Sequence, residues 1–143
     1  MTRALFDTNV VLDVLLRREP HFAASAAALD TAARGGTDGY LAGHAVTTIA
    51  YLLQRQLGAA GSRAVLTDLL SQLRVAPVTD GVVRRALASS LRDFEDSVCD
   101  AAAGEAGVEL IVTRNVADFG GSAVEAVLPE VFLARQRGRG PRA

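Results

Sequence analysis

Three stretches, far apart in the chain, bring carboxylates and amides to positions where a folded protein exposes them. In the first, Leu5 and Phe6 read as a strand and Asp7 stands at its end. Thr8 and Asn9 follow as turn and cap residues, and Val10, Val11, Val14 and Leu15 then recur at helical spacing. Asp7 can be read as a helix N-cap. It can equally be read as a site residue, because ligands of open α/β sheets bind beyond the carboxyl ends of the strands. The second stretch is acidic: Asp93, Glu95, Asp96 and Asp100. On a helix, positions 93, 96 and 100 share a face, and Phe94, Val98 and Ala101 fall on the opposite face, where they are expected to pack inward. Favourable interaction with the helix dipole accounts for acids in the first turn, but not for Asp100, two turns in. In the third stretch a buried strand ends at Thr113, and Arg114, Asn115 and Asp118 follow in a polar loop.

Clustered carboxylates repel one another and need a reason to be together. Hard divalent cations supply one. Mg²⁺ takes one or two carboxylates and completes its shell with waters and phosphate oxygens. Asp7, Asp96 and Asp118 would therefore suit Mg²⁺ or Mn²⁺, and would not suit Zn²⁺, which prefers His and Cys. His21 and His44 show no ligand spacing, and Cys99 is the single cysteine. Arg114, beside the acids, either contacts a substrate phosphate or forms a salt bridge to a neighbouring acid. Asp13 is expected to pair with an arginine or stay solvated. Arg17 and Arg18 close the first helix, where they either complement its dipole or contact a nucleic acid.

These residues must be positioned by elements that the hydrophobic pattern outlines. Helical spacing predicts helices over 10–18, 21–34, 45–56, 62–73, 82–91 and 93–106. Short strands are expected at 5–6, 38–42, 75–78, 109–113 and 126–128. Gly58 and Gly61 separate the third and fourth helices, Pro77 marks the end or edge of a strand, and Pro129 opens a short final helix. Short strands alternating with helices imply a parallel sheet covered on both faces. The basic tail, residues 135–143, carries almost no apolar side chain and is expected to be disordered.

Composition narrows the class. The 143 residues suit one domain, half of them are hydrophobic, and only 5% are aromatic. The net charge of −1 provides no global field for nucleic acid. All 15 basic residues are arginine. A receiver-like or phosphatase-like α/β protein would want a lysine late in the sheet, and the chain has none. No disulfide framework is possible with one cysteine, no apolar run reaches ~18 residues, and no signal peptide is evident. The expectation is a cytoplasmic protein with no membrane segment.

At the three stretches the chain resembles the PIN-domain ribonucleases found as toxins in bacterial VapBC toxin–antitoxin systems. The likeness rests on Asp7-Thr8-Asn9 with Asp13, on Asp96 opening an Ala-rich helix, and on Thr113-Arg114-Asn115 with Asp118-Phe119. It implies a three-layer α/β/α sandwich with a short, mainly parallel, four- to five-stranded sheet, spanning residues 1–134 as one PIN-like domain. It also implies Mg²⁺- or Mn²⁺-dependent hydrolysis of RNA, with Asp7, Asp96 and Asp118 as metal ligands and Asn115 as a further catalytic position. Asn9 would brace the first loop and Thr113 would support Asp7. A cognate antitoxin and a homodimer are the implied partners. The family usually carries a further acid on the third helix, and this helix holds none: Thr47 or Thr48 lies at that place, and Asp93 or Asp100 would have to compensate. The alternative is a catalytically weak or inactive PIN-like module that acts by binding protein or RNA.

Overall fold

The computed structural model describes residues 1–139. Its elements run β1 (Thr2–Phe6), α1 (Thr8–Leu15), α2 (Phe22–Ala33), β2 (Thr37–Ala42), α3 (Gly43–Leu70), β3 (Arg74–Ala76), α4 (Asp80–Ala88) and α5 (Phe94–Glu105). β4 (Leu110–Val112), a 3-10 turn (Val116–Phe119), β5 (Glu125–Val127) and α6 (Pro129–Arg139) complete the chain. The strands form one sheet in the order β3-β2-β1-β4-β5, and every pairing is parallel. Leu5 on the central strand stands opposite Tyr40 on β2 and Ile111 on β4.

Parallel strands need long crossovers, and the crossovers cover the sheet. Ala4, Leu5 and Phe6 are successive residues of β1, so they point to alternate faces, and all three are fully buried. Both faces of the sheet are therefore covered, which is the α/β/α sandwich expected. On one face α2 packs against α1, α6 and β2. There the Phe6 ring meets Phe132 of α6 edge-on, with centroids 6.0 Å apart. α5 packs against β2, β3 and β4, with α4 against it. The order reverses beside β1: the chain leaves β1 toward β2 and β3, then returns to β4 on the other side. That reversal opens a crevice at the carboxyl ends of β1 and β4.

Gly39 shows how closely α2 approaches the sheet. A Cβ at this position would lie 2.6 Å from Leu73 Cδ2, 2.9 Å from Ala32 Cβ and 3.1 Å from Phe6 Cε2. Ala32 cannot give way without moving α2. Gly39→Ala is expected to destabilise the chain by about 1–3 kcal/mol. A urea midpoint unchanged from the wild type would show instead that α2 shifts freely.

One expectation from the sequence holds and one is modified. The break expected between the third and fourth helices lies at Gly58 (φ 73°, ψ 175°), so α3 consists of two helical arms. Ser62 Oγ donates to the Ala50 carbonyl at 3.2 Å. In a straight helix that pair would be roughly 18 Å apart, so the two arms fold back on each other. The tail begins later than its composition implied. Residues 135–139 continue α6 rather than being disordered. Phe132, fully buried, anchors the helix, Arg135 holds Glu125 through two bonds of 3.1 and 2.8 Å, and Gln136 donates to Thr2 Oγ1 at 3.3 Å. The rest of that tail, 140–143, lies outside the described residues. β3 is an edge strand and Pro77 follows its last residue. Among the described residues no helix is long and apolar enough to cross a membrane.

Candidate metal-binding active site

The end of β1 is bonded to the end of β4 through side chains. The Asp7 amide donates to the Val112 carbonyl at 2.9 Å, which carries the ladder one residue past the strand. Asp7 Oδ1 then accepts from the Thr8 amide at 2.8 Å and caps α1. Its Oδ2 accepts from Thr113 Oγ1 at 2.8 Å and from Asn9 Nδ2 at 3.2 Å. Capping and site-lining are thus roles of one carboxylate, and the two readings of Asp7 do not compete. Asn9 Oδ1 accepts from the Arg114 amide at 3.4 Å, and Thr113 Oγ1 accepts from the Asn115 amide at 3.0 Å. Asp7 is only 8% exposed. Burial raises its pKa, partly offset by the bonds from Thr113 and Thr8.

Above this network lies an acidic cleft of about 310 Å³. Asp7, Asp93, Glu95, Asp96 and Asp118 line it together with Thr8, Asn9, Leu12, Arg18, Thr48 and Asn115. α5 contributes its first turn. Asp93 is the N-cap, accepting from the Asp96 amide at 3.0 Å. Asp118 comes from the 3-10 turn after β4, where its amide bonds to the Asn115 carbonyl at 3.0 Å. Asp96 is pushed up to about 7, first by burial, then by the negative charges of Asp7, Asp93, Asp118 and Glu95. The cleft gathers five carboxylates around one space, and carboxylate oxygens are the donors a hard divalent cation requires. Among the described residues, no group of three or more His, Cys, Asp or Glu side chains is arranged to hold a metal ion by itself.

The structure decides between placements the sequence left open for some residues and changes those of others. Thr48 lines the cleft, whereas Thr47 is exposed and bonds back to the His44 carbonyl at 2.9 Å. Asp100 does not compensate for the missing helix acid. Its two oxygens accept from the amides of Ala123 and Val124 at 3.0 and 2.9 Å, which fastens the loop before β5. It borders a separate cavity with Arg85 and Ser97. Arg114 does not line the cleft. Its Nε and Nη2 bond Asp13 at 2.6 and 3.2 Å, and Ser25 Oγ donates to the same carboxylate at 3.2 Å. Asp13 has no exposure at all, so this pair joins α1, α2 and the β4 loop in the interior. Phe94 was expected inward and is 50% exposed. As the first residue of α5 it precedes the turns that pack, while Val98, one turn on, is buried.

Two contributors were missed by the sequence reading, and a third was left between two roles. Glu95 lines the cleft, although its position alone reads as a solvated first-turn acid. Arg18, read as a helix end or a nucleic-acid contact, lines it too. His44, at the start of α3, is close enough to Glu95 and Asp7 to feel both charges, yet burial dominates and lowers its pKa. Its Nδ1 is buried without a protein hydrogen-bond partner. No spacing rule links His44 to acids more than 30 positions away in sequence. Cys99 is buried, and burial pushes its thiol well up, so it is an inert core residue.

A doubly wound parallel α/β sheet with an acidic cleft at its switch point defines the class of open α/β proteins that place their sites beyond the carboxyl ends of the strands. The PIN domain family matches residues 3–117. The chain belongs to the PIN domain family. Solved structures agree on the fold. The chain is similar to a toxin–antitoxin complex from Klebsiella pneumoniae, with TM-score 0.68 and 20% identity over 88% of this chain and 97% of that one. It is similar to FitAcB from Neisseria gonorrhoeae, with TM-score 0.68 and 18% identity over 89% of this chain and 98% of that one. It is also similar to the sarcin–ricin-loop-cleaving toxin VapC20 of Mycobacterium tuberculosis, with TM-score 0.64 and 16% identity over 84% and 96%. No curated protein matches the sequence.

Proposed function

We propose that the protein is a divalent-metal-dependent endoribonuclease and the toxin of a VapBC-type toxin–antitoxin pair. The observation that carries this reading is the acidic cleft, in which carboxylates from the end of β1, from α5 and from the turn after β4 line one space; burial first, and then these neighbouring charges, push Asp96 up to about 7. Membership of the PIN family and the toxin complexes among its structural neighbours support it.

In this reading Asp7, Asp96 and Asp118 hold Mg²⁺ or Mn²⁺, with Asn115 at the rim. When bound, the ion lowers the pKa of its water and polarises a phosphoryl oxygen. The chain supplies the positioning. Thr113 and Asn9 fix the Asp7 carboxylate in one orientation through bonds of 2.8 and 3.2 Å, so no reorganisation is needed when charge develops. Asp93 holds the amide of Asp96 and sets the first turn of α5. Thr48 offers a hydroxyl where a family acid usually stands.

That hydroxyl favours a second reading: a PIN module with weak or no catalysis that binds a partner. One experiment separates the two. The expected result is Mn²⁺-dependent cleavage of a mixed tRNA and mRNA pool, abolished by Asp7→Ala. Absence of both cleavage and Mn²⁺ binding by calorimetry would favour the binding module. The partner in either case is proposed to be an antitoxin, and the oligomer a homodimer of cytoplasmic chains.

A further inference from the structure

The cleft has one cationic side chain among its lining residues, Arg18. Its neighbours in sequence explain how it gets there. α1 ends at Leu15, and Arg17 then adopts φ 50°, the left-handed region that non-glycine residues rarely enter. This reverses the chain. The Arg18 amide returns to the Asp13 carbonyl at 2.9 Å, and the His21 amide closes on the Arg18 carbonyl at 3.1 Å. The Arg17 guanidinium is held apart, 5.7 Å over the Phe22 ring. Only Arg18 is turned to the acidic cleft, and it is half-buried there.

What Arg18 does not do is as informative. Arg3, Arg34, Arg74, Arg84, Arg85, Arg114 and Arg135 each form an ion pair. Arg18 lines the same cleft as Asp7, Asp93, Glu95, Asp96 and Asp118, and among the described residues it pairs with none of them. Arg18 therefore shares the cleft with the acids without a direct ion pair to any of them. A cationic side chain lining the cleft and committed to no carboxylate is available to an anion. Arg114, the other arginine near the site, is committed to buried Asp13. With a net charge of −1 the chain has no global field to draw in nucleic acid, so a local donor must hold the phosphate.

We propose that Arg18 receives the non-bridging oxygens of the substrate phosphodiester, clamping the backbone of the nucleic acid against the acidic wall. The planar fork of arginine matches two phosphate oxygens at once. This inference rests on the nuclease reading above.

The test uses the full chain, a labelled single-stranded RNA of mixed sequence and Mn²⁺. Arg18→Ala is expected to lower kcat/KM about 100-fold, the scale of losing one transition-state donor. Arg18→Lys retains the charge without the fork and is expected to recover about tenfold. The slope of log(kcat/KM) against log[NaCl] should become shallower by about 0.7 for Arg18→Ala, because one fewer phosphate is neutralised on a single strand. Mn²⁺ affinity without RNA should stay within about twofold of the wild type, the metal being held by the carboxylates. Arg63→Ala, exposed on the far arm of α3, controls for loss of one charge and should change neither quantity. If the wild type cleaves and Arg18→Ala matches it in kcat/KM and salt slope, the proposal is overturned. It is also overturned if the loss tracks a fall in Mn²⁺ affinity or thermal midpoint, which would make Arg18 structural. A wild type that cleaves no RNA overturns the nuclease reading itself.

Discussion

Asp96→Asn is expected to reduce Mn²⁺-dependent RNA cleavage by at least about 10³-fold while raising the thermal midpoint of the chain at pH 8. The two effects have one cause. Burial and four neighbouring acids disfavour the charged carboxylate, so in the folded chain it holds its proton up to about pH 7. In the unfolded chain it releases that proton near its ordinary value of 3.8. Between these values the folded state binds more protons than the unfolded state, and stability falls as pH rises. Asn carries no charge and escapes that loss. The advantage of the variant should be absent below about pH 4, grow through the interval and be complete above about pH 7. Mn²⁺ reverses the ranking, because a ligand that binds only the folded state stabilises it by mass action, and the variant lacks a charged donor. Thermal scans at pH 4, 6 and 8, with and without Mn²⁺, test all of this. A midpoint at pH 8 below that of the wild type would refute the like-charge account.

The largest stability effect is expected at a residue outside the cleft. Arg114→Met leaves the Asp13 carboxylate fully buried with only Ser25 to bond it. Removing one partner of a buried pair typically costs about 3–5 kcal/mol, because the other charge stays desolvated. For a chain of this size that lowers the melting midpoint by roughly 6–20 °C. Replacing both partners, Arg114→Met with Asp13→Leu, should recover most of the loss, since the unpaired charge is gone. Urea unfolding of the two single variants and the double variant measures the coupling. If Arg114→Met instead unfolds like the wild type and only KM rises, the arginine serves substrate and the interior pair contributes little.

The same pair marks a limit of sequence reading. Alternating short strands and helices were legible because apolar periodicity is local: Leu5–Phe6, Ile111–Val112 and the Ala-rich runs each declare their element without reference to the rest of the chain. Parallel pairing followed from the same pattern, since strands separated by helices cannot form hairpins. That Asp7, Thr113, Asn115 and Asp118 stand just past strand ends was legible too, and a parallel sheet gathers all such ends at one edge.

Direction was not legible, and of the pairing only that Asp13 takes an arginine, not which one. Helical spacing put Asp93, Asp96 and Asp100 on one face, yet the loop before β5 covers that face at Asp100 and leaves it open at Asp96. Arg114 and Arg18 look alike in sequence. One turns inward because buried Asp13 lies across from it, and the other reaches the cleft because Arg17 takes a left-handed turn. The tail looked disordered because its composition lacks apolar residues, and it is helical through Arg139 because Phe132 anchors the helix a few residues earlier. The sequence by itself determined the elements, their order and the residue types at the strand ends, since backbone propensity and burial period act over a few residues. Only the tertiary structure decided which acids share a field, which arginine is free to meet an anion and which hydroxyl faces the cleft. Those depend on distances between residues far apart in sequence, such as Thr113 and Asp7, 106 positions apart, and no local pattern encodes them.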